Sequence, residues 1–255
     1  MKREGAVTLG AVARAVGGEL EGDAGARVLD VTHDSRQARG GWLFVAIRGE
    51  KADGARFVAD VSERGAAGVI SERERPADFR GGWIRVGDAR AALALAAAEV
   101  HGHPSRELKL VGVTGTNGKT TTAYLVAAVA EAAGLRTALV STVEYRVAGE
   151  RRPAPHTTPE ASDLQRLLRQ AVEAGCGVAV MEASSQALDL RRCDALRYEV
   201  AAFTNLTQDH LDYHGTMEAY FEAKATLFQR GRAGVAVIGT DDEWGRRLAA
   251  RVEIP

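Results

Sequence analysis

A glycine-rich segment near the middle of the chain constrains the fold more than any other feature. It reads Gly-Thr-Asn-Gly-Lys-Thr-Thr and occupies residues 115–121. An apolar run at 110–113 precedes it, and a helix-forming stretch at 123–133 follows it. Strand, glycine-rich turn, Lys-Thr and helix form the layout of a phosphate-binding loop, in which backbone N–H groups and a helix N-terminus hold phosphates. The sequence therefore predicts a nucleotide-binding α/β unit.

The loop departs from the strict phosphate-loop pattern at one position. The pattern G-x-x-x-x-G-K-[ST] requires a glycine where this chain has Val113. An ordinary turn between a strand and a helix is the alternative interpretation. In a phosphate loop, Lys119 would reach the β- and γ-phosphates and the Thr120 hydroxyl would bind Mg²⁺.

Length and composition limit the classes of protein to consider. At 255 residues the chain is long enough for two domains of ~100–200 residues each. Its 33 basic and 34 acidic residues give a net charge of −1, so neither nucleic acid nor a membrane surface is an expected partner. The two cysteines, Cys176 and Cys193, have no paired spacing and are expected to be reduced, as in the cytoplasm. No signal segment is evident at the start, and no apolar run reaches the ~18 residues that span a bilayer.

Residues 1–106 are predicted to form a small α/β domain. Thr8 and Asp88 are candidate N-caps for helices at 9–16 and 89–101. A third helix is expected at 57–64, and strands are expected at 28–32, 42–47, 66–70 and 83–86. The tetrapeptide His-Asp-Ser-Arg at 33–36 follows the first strand. It is either a turn in which Asp34 bonds its own backbone, or a site where a serine hydroxyl and an arginine hold an anionic ligand.

Residues 107–255 are predicted to form a doubly wound parallel sheet with the phosphate loop on its first strand. The expected strands lie at 109–113, 137–141, 178–182, 200–204 and 235–238. The expected helices lie at 121–133, 159–174, 217–228 and 242–251, with Thr158 as the N-cap and Pro159 as the first residue of the second one.

Ligands of such sheets collect at the carboxyl ends of the strands, and polar residues follow several strands here. Glu182 ends an apolar strand, where a buried carboxylate needs a partner such as a metal ion held at Thr120. His210 follows the next strand and is either structural or a ligand of a divalent cation. Lys224, in a helix with several aromatic residues, is expected from its context alone to be solvated.

Four segments resemble the Mur ligases, the ATP-dependent amide-bond-forming enzymes of bacterial peptidoglycan synthesis. They are the loop at 115–121, Met-Glu-Ala-Ser-Ser at 181–185, Phe-Thr-Asn-Leu at 203–206 and Asp-His-Leu-Asp-Tyr-His-Gly at 209–215. The last segment is similar to that of the family member that adds the third peptide residue. Segments at 34–36, 42–46 and 52–54 resemble the family's N-terminal, UDP-binding domain. The loop by itself is shared with folylpolyglutamate synthases, which lack that domain.

The resemblance implies a role for individual residues. It assigns ATP to Gly115, Thr116, Asn117, Gly118, Lys119, Thr120 and Thr121. It assigns the UDP-sugar to His33, Ser35 and the turn Glu50-Lys51-Ala52, and the muramoyl-peptide to Thr157, Thr158, Ser184 and Arg192. It assigns two Mg²⁺ ions to Thr120, Glu182, His210 and Lys224. Lys224 would be carbamylated by CO₂, which replaces a repelled ammonium with a carboxylate. With Lys119, the residues Glu182, His210 and Lys224 would form the catalytic set.

The chain departs from the family pattern at four further positions. Where this chain has His156, Gln186, Leu190 and Gly239, the family commonly has asparagine, histidine, glutamine and asparagine, respectively. The first three concern the peptide side of the site, and the fourth concerns adenine. The chain also resembles only the N-terminal domain and part of the central domain, so the residues that select the incoming amino acid are expected beyond residue 255.

The resemblance implies a reaction and leaves alternatives. The D-glutamyl carboxylate of UDP-N-acetylmuramoyl-L-alanyl-D-glutamate would attack ATP to give an acyl phosphate, and meso-diaminopimelate or L-lysine would then displace phosphate. The protein would be a bacterial cytoplasmic monomer. The alternatives are a nucleotide- and UDP-sugar-binding module without turnover, and a folylpolyglutamate-type ligase.

Overall fold

The computed structural model describes residues 7–49 and 52–255. The chain divides into two compact units. The first comprises Met1–His103 with Ala161–Arg166, and the second comprises Pro104–Glu160 with Leu167–Pro255. The predicted α/β fold class is confirmed, since strands and helices alternate along both units.

Short strands and three helices build the first unit. Its strands are β1 (Val7–Thr8), β2 (Glu19–Glu21), β3 (Arg27–Val28), β4 (Asp30–Thr32), β5 (Trp42–Val45), β6 (Gly68–Ser71) and β7 (Gly82–Arg85). Its helices are α1 (Leu9–Val16), α2 (Val58–Glu63) and α3 (Ala89–His101), with a 3₁₀ turn at Gly54–Phe57. Five strands form a sheet in the order β2-β7-β6-β5-β4, in which only β2 runs antiparallel to its neighbour.

Side-chain caps begin two of these helices where the sequence predicts them. Thr8 accepts a hydrogen bond from the Ala11 N–H, and Asp88 accepts one from the Ala91 N–H. Each cap satisfies an N–H group that the first helical turn leaves without a partner. The buried side chains of Phe44, Val69 and Trp83 are part of the hydrophobic core of this unit. The predicted strand at 28–32 is two strands, because Val28 pairs with β1 and Asp30 begins the pairing with β5.

A seven-stranded sheet forms the centre of the second unit. Its strands are β8 (Lys109–Thr114), β9 (Thr137–Val140), β10 (Glu144–Val147), β11 (Glu150–Pro153), β12 (Val178–Glu182), β13 (Tyr198–Phe203) and β14 (Ala233–Ile238). Its helices are α4 (Lys119–Ala132), the part of α5 (Ala161–Glu173) that follows Arg166, α6 (Ser185–Asp189), α7 (Leu211–His214), α8 (Met217–Ala225) and α9 (Glu243–Arg251). The order is β11-β10-β9-β12-β8-β13-β14, so the strand that leads into the phosphate loop lies between β12 and β13.

The sheet is mixed, whereas the sequence predicts a parallel one. The five predicted strands are parallel to one another, but β10 and β11 form an antiparallel hairpin that pairs with β9 and makes up one edge of the sheet. No strand is expected in this segment from the sequence. The hairpin strands are largely polar and lie at the edge of the sheet, where a strand needs no continuous apolar face.

The prediction that Thr158 and Pro159 begin a helix is wrong. Helix α5 begins at Ala161 with Glu160 in the capping position. The Thr158 hydroxyl instead donates to the Glu182 carbonyl at 2.7 Å and accepts from the Ser184 N–H at 3.1 Å. Tertiary hydrogen bonds therefore outweigh the local capping preference.

Within the described ranges, no helix combines the length and the apolar character needed to cross a membrane.

Candidate active site

The phosphate loop joins β8 to α4 and has a backbone that only glycine allows at two points. Gly115 has φ +142° and Gly118 has φ +83°. A Cβ at Gly115 would lie 1.9 Å from the Thr204 hydroxyl oxygen, so even a methyl group does not fit there. Val113, the departure from the strict pattern, is fully buried in β8 and packs with Ala123 in the core beneath α4. A valine at this position belongs to the sheet, so it leaves the loop intact.

The segment after β13 holds the loop in place. The Asn205 side chain accepts from the Asn117 N–H at 3.0 Å and donates to the Asn117 carbonyl at 3.1 Å. Thr204 also donates to that carbonyl at 2.7 Å. These bonds satisfy the backbone of the exposed loop residue and orient the loop before any ligand binds.

Lys119 lies over the loop. Its Nζ donates to the carbonyls of Gly115 and Thr116 at 3.0 and 2.8 Å. Burial lowers the pKa of Lys119, while Glu182 and Asp209 act in the opposite direction. A phosphate at the loop would provide this amine with an anionic partner, which is the role that the sequence predicts for it.

Glu182 is fully buried at the end of β12, as the sequence predicts for a carboxylate that needs partners. Its Oε1 accepts from the Thr120 hydroxyl and from the Thr142 N–H, both at 2.9 Å. Its Oε2 lies 3.2 Å from the Thr142 hydroxyl. One carboxylate beside a hydroxyl, next to a phosphate-binding loop, is a donor set that suits Mg²⁺, which keeps several waters and takes further oxygens from phosphates.

Lys224 is buried, so the expectation of a solvated lysine is wrong. Its side chain is 1% exposed, and its Nζ donates to the Gly115 carbonyl at 2.8 Å. The Nζ also lies 4.4 Å from the centre of the Tyr220 ring. Burial, together with the nearby Lys119, holds the pKa of Lys224 well below its usual range, although Asp209 acts in the opposite direction. The amine is therefore in its neutral, nucleophilic form at a much lower pH than a solvated lysine.

His210 lies at the same edge of the sheet and is half exposed. Its Nε2 lies 3.5 Å from a carboxylate oxygen of Asp209, and its backbone has φ +51°. Among the residues that the structure describes, no three His, Cys, Asp or Glu side chains form a metal cluster. A site that joins Glu182, His210 and Thr120 would thus have to take its other ligands from water, phosphate or a modified Lys224.

These residues surround one pocket of about 430 Å³ within the second unit. The phosphate loop forms one end, and residues that follow β9 and β12 form the other. Its lining residues are Thr116, Asn117, Gly118, Lys119, Thr120, Thr121, Thr142, Thr157, Glu182, Ser184, Ser185, Gln186, His210, Tyr220 and Lys224. Every predicted nucleotide and metal residue except Gly115 is in this set, and Gly115 binds two of the lining lysines through its carbonyl.

The predicted peptide-binding residues have different positions. Thr157 and Ser184 line the pocket, and Ser184 caps α6 by accepting from the Ala187 N–H. Thr158 is 1% exposed and bonds to the backbone of Glu182 and Ser184. Arg192 donates to the Thr158 carbonyl at 3.0 Å and pairs with Glu160 at 2.7 Å, outside the pocket lining. In this structure Arg192 holds the segment that carries Thr157 and Thr158.

His33 and Ser35 lie in the first unit, in a turn after β4. Asp34 accepts from the Arg36 N–H at 3.0 Å and pairs with its guanidinium, which lowers the pKa of Asp34. The self-bonded turn considered from the sequence is therefore present. The His33 Nδ1 is buried without a hydrogen-bond partner among the described residues, which suits a polar ligand at this turn. Glu50 and Lys51, also predicted to contact the UDP-sugar, lie outside the described residues.

The four departures from the family pattern lie at different depths. Gln186 lines the pocket, whereas Leu190 ends α6. The His156 carbonyl accepts a hydrogen bond from the Tyr145 hydroxyl. At Gly239 a Cβ would lie 2.5 Å from the Thr204 carbonyl oxygen, so glycine is the residue that fits against this strand end.

Four pocket residues or their supports were missed from the sequence. Thr142 follows β9 and Ser185 follows the predicted Ser184. His214 ends α7, and Tyr220 lies in α8. The carboxyl end of β9 was a signal that could have identified Thr142. Ser185, His214 and Tyr220 come together through contacts between α6, α7 and α8, two of which are too short to show a helical period.

Comparison with known proteins identifies related sequences and folds. The pattern of the Mur ligase middle domain matches residues 113–254, and that of the Mur ligase family catalytic domain matches residues 28–106. A UDP-N-acetylmuramoyl-L-alanyl-D-glutamate–2,6-diaminopimelate ligase of Geobacter sulfurreducens is 47% identical over 92% of this chain and 48% of its own length. One of the same name from Streptomyces coelicolor is 45% identical over 91% and 46%.

A solved structure with the same name superimposes with a TM-score of 0.82 at 30% identity. The match covers 96% of this chain and 50% of the other. The chain thus spans about half the length of the curated relatives it matches.

Proposed function

The chain belongs to the Mur ligase family, and on this premise we propose that it is the ATP- and acceptor-binding part of a peptidoglycan ligase. The reaction would join 2,6-diaminopimelate to UDP-N-acetylmuramoyl-L-alanyl-D-glutamate, as the names of its relatives state for those proteins. The observation that carries the proposal is the juxtaposition of Glu182, bonded to Thr120, with the phosphate loop and the buried Lys224.

The two parts of the chain would take different ligands. Residues 1–106 would bind the UDP-sugar through His33 and Ser35, and residues 107–255 would bind ATP. The His33 Nδ1, which is buried with no hydrogen-bond partner in the described part of the chain, supports the first assignment. The glycine-dependent loop and its Lys119 support the second. We also propose a monomeric protein of the bacterial cytoplasm, where ATP is available as a substrate.

The donor set fits Mg²⁺ at two places. Glu182 and Thr120 offer oxygens beside the loop, and His210 offers an imidazole nitrogen at the same pocket. Bound Mg²⁺ would neutralise charge on the phosphates of ATP. Lys224 as an amine offers Mg²⁺ no oxygen, but its carbamate would. The neutral nitrogen would attack the carbon of CO₂, so that an N–C bond forms, one C=O π bond of CO₂ breaks with its electron pair moving to oxygen, and one proton leaves to solvent.

The reaction needs no nucleophile from the protein. The side-chain carboxylate of the D-glutamyl residue attacks the γ-phosphorus of ATP, which breaks the bond to the β-phosphate oxygen and gives an acyl phosphate and ADP. The amine of diaminopimelate then attacks the acyl carbon and releases phosphate and a proton. The protein's contribution is to hold the two reactants in line and to place Lys119 near the developing charge.

Phosphate release tests the proposal. The protein is incubated with ATP, Mg²⁺ and UDP-N-acetylmuramoyl-L-alanyl-D-glutamate, with and without diaminopimelate. We expect release that requires the acceptor and rises with the amine, and its loss in Glu182→Gln, which keeps the shape of the side chain but removes its charge. A thermal-shift measurement with each ligand runs in parallel. Stabilisation by a folate but not by the UDP-sugar would contradict the proposal. Stabilisation by ATP and the UDP-sugar without phosphate release would instead indicate a binding module.

A further inference from the structure

Ser185 and His214 form a contact at the pocket that the proposed function does not use. The Ser185 side chain is 2% exposed at the start of α6, and it lines the pocket beside Ser184. The His214 Nε2 lies 2.9 Å from the Ser185 Oγ. His214 ends α7 and is not part of the pocket lining, so it contacts Ser185 from behind.

The same imidazole is held against the phosphate-loop side of the pocket. Its ring centre lies 5.1 Å from that of Tyr220, with the ring planes at 33°. The Tyr220 hydroxyl lies 3.2 Å from the Thr116 hydroxyl. Thr116 directs its own hydrogen to the Thr207 carbonyl at 3.2 Å, so Tyr220 is the donor to Thr116. A continuous set of contacts thus runs from Ser185 through His214 and Tyr220 to the loop.

A hydroxyl has one hydrogen, and its direction decides whether the group can donate to an anion. The Thr120 hydrogen points to Glu182 and is not available to another acceptor. Ser184 differs, because its oxygen accepts from the Ala187 N–H at 3.2 Å and that contact does not require its hydrogen. If the imidazole of His214 donates to the Ser185 oxygen, the hydroxyl hydrogen of Ser185 is likewise free to donate to another group.

We propose that His214 is a positioning residue whose Nε2–H donates to the Ser185 oxygen, so that the Ser185 hydroxyl donates into the pocket to an anionic oxygen of the reacting groups. This inference rests on the proposed function, which provides two such oxygens, on the γ-phosphoryl group and on the acceptor carboxylate. Packing on Tyr220 fixes the direction of the ring and therefore of the hydroxyl.

The tautomer of His214 is tested first in the wild-type protein. Long-range ¹H–¹⁵N correlation spectra of the ¹⁵N-labelled protein at pH 8 distinguish Nε2–H from Nδ1–H, and loss of one signal set in His214→Gln assigns it. We expect the Nε2–H form. The Nδ1–H form would mean that Ser185 donates to His214, which would overturn the proposal.

A double-mutant cycle tests whether His214 acts through Ser185. The probes are the Mg²⁺ complex of AMP-PNP and UDP-N-acetylmuramoyl-L-alanyl-D-glutamate, each titrated by calorimetry. Ser185→Ala should weaken one of them by about 10- to 100-fold, the effect of a lost hydrogen bond to a charged group. The affected probe identifies the oxygen. His214→Leu should have a similar effect alone and less than about a two-fold effect when Ser185 is already alanine.

Two further variants separate positioning from folding. In His214→Gln the amide nitrogen can reach the position of Nε2, so its affinity should stay within about three-fold of the wild type. Tyr213→Phe is the matched control, because the Tyr213 hydroxyl also links α7 to α6, through Asp189 at 2.8 Å, but outside the pocket. It should leave both affinities unchanged.

The outcomes separate the two proposals. Binding by the wild type with no loss in Ser185→Ala, or independent losses in the double variant, would overturn the role of His214 alone. No binding of either probe to the wild type would overturn the proposed function and the inference with it.

Discussion

At the scale of single residues, burial changes the chemistry of an ordinary side chain. Lys224 has no feature in its own segment that separates it from a solvated lysine. In the fold it is 1% exposed, and it donates to a loop carbonyl beside a second lysine, Lys119. Burial and the positive charge of Lys119 both lower the pKa of Lys224, which favours the neutral amine, the form that reacts with CO₂.

Lys224 should carry a carbamate when CO₂ is supplied. With ¹³C-labelled bicarbonate near pH 8, the ¹³C spectrum should show a carbamate resonance that is absent in Lys224→Arg, because a guanidinium has no neutral amine to react. The same resonance in the variant would place the modification elsewhere and contradict the prediction.

Activity provides an independent check of that lysine. Lys224→Ala should lose most of the acceptor-dependent phosphate release, and short carboxylates such as acetate should restore part of it by replacing the missing carboxylate. Full activity of Lys224→Ala without any additive would exclude the role.

At the scale of elements, strand ends determine the shape of the site. β8 lies between β12 and β13, so Glu182 and the Thr204–Asn205 segment flank the phosphate loop on opposite sides. Alternating strand and helix patterns were sufficient to predict α1, α3, β12 and most other elements within a few residues. The hairpin β10–β11 and the short helices α6 and α7 were not predicted, because tertiary contacts rather than local periodicity stabilise them.

Gly115→Ala should disable the loop. A Cβ there would approach the Thr204 hydroxyl to 1.9 Å and the Asn205 N–H to 3.1 Å, at a φ of +142° that alanine rarely adopts. Overpacking of this kind costs about 1–3 kcal/mol, and the strained φ adds to that cost. Urea unfolding should show the loss of stability, and AMP-PNP should no longer raise the Tm.

Gly177→Ala is the matched control for that variant. It lies just before β12, and a Cβ there would meet no atom within 4 Å. Its free energy of unfolding and its response to AMP-PNP should match those of the wild type. Equal effects in the two variants would show that the close approach at Gly115 is not the cause.

At the scale of the whole molecule, buried groups link stability to pH. Burial raises the pKa of the Cys193 thiol to about 11 from 9.0, and the thiol is fully buried. The buried Tyr198 beside it also has a pKa raised by burial. Between pH 9.0, the ordinary pKa of the thiol in the unfolded chain, and about 11, its pKa in the folded chain, Cys193 is deprotonated in the unfolded chain and protonated in the folded one. The stability contributed by the neutral thiol is therefore complete below pH 9 and is lost as the pH rises towards 11.

The free energy of unfolding should fall by about 2–3 kcal/mol between pH 8.5 and 11 through this thiol, at 1.36 kcal/mol per pKa unit. Urea unfolding at a series of pH values measures the decrease. In Cys193→Ala the decrease should be smaller by that amount, whatever the variant's stability at pH 8.5. Identical pH profiles of the two proteins would contradict the prediction.

The sequence by itself determined most of the elements and the chemical class expected of the site. The loop at Gly115 to Thr121 predicted phosphate binding, because glycine backbone freedom and a lysine at a helix start are properties of local sequence. An apolar strand ending in Glu182 likewise indicated a carboxylate in need of partners. Only the tertiary structure decided which partners those were, that Lys224 is buried, that Thr158 bonds to β12 instead of capping a helix, and that His214 lies behind Ser185. These outcomes depend on contacts between segments far apart in the chain, where burial and hydrogen-bond competition outweigh the preferences of each segment.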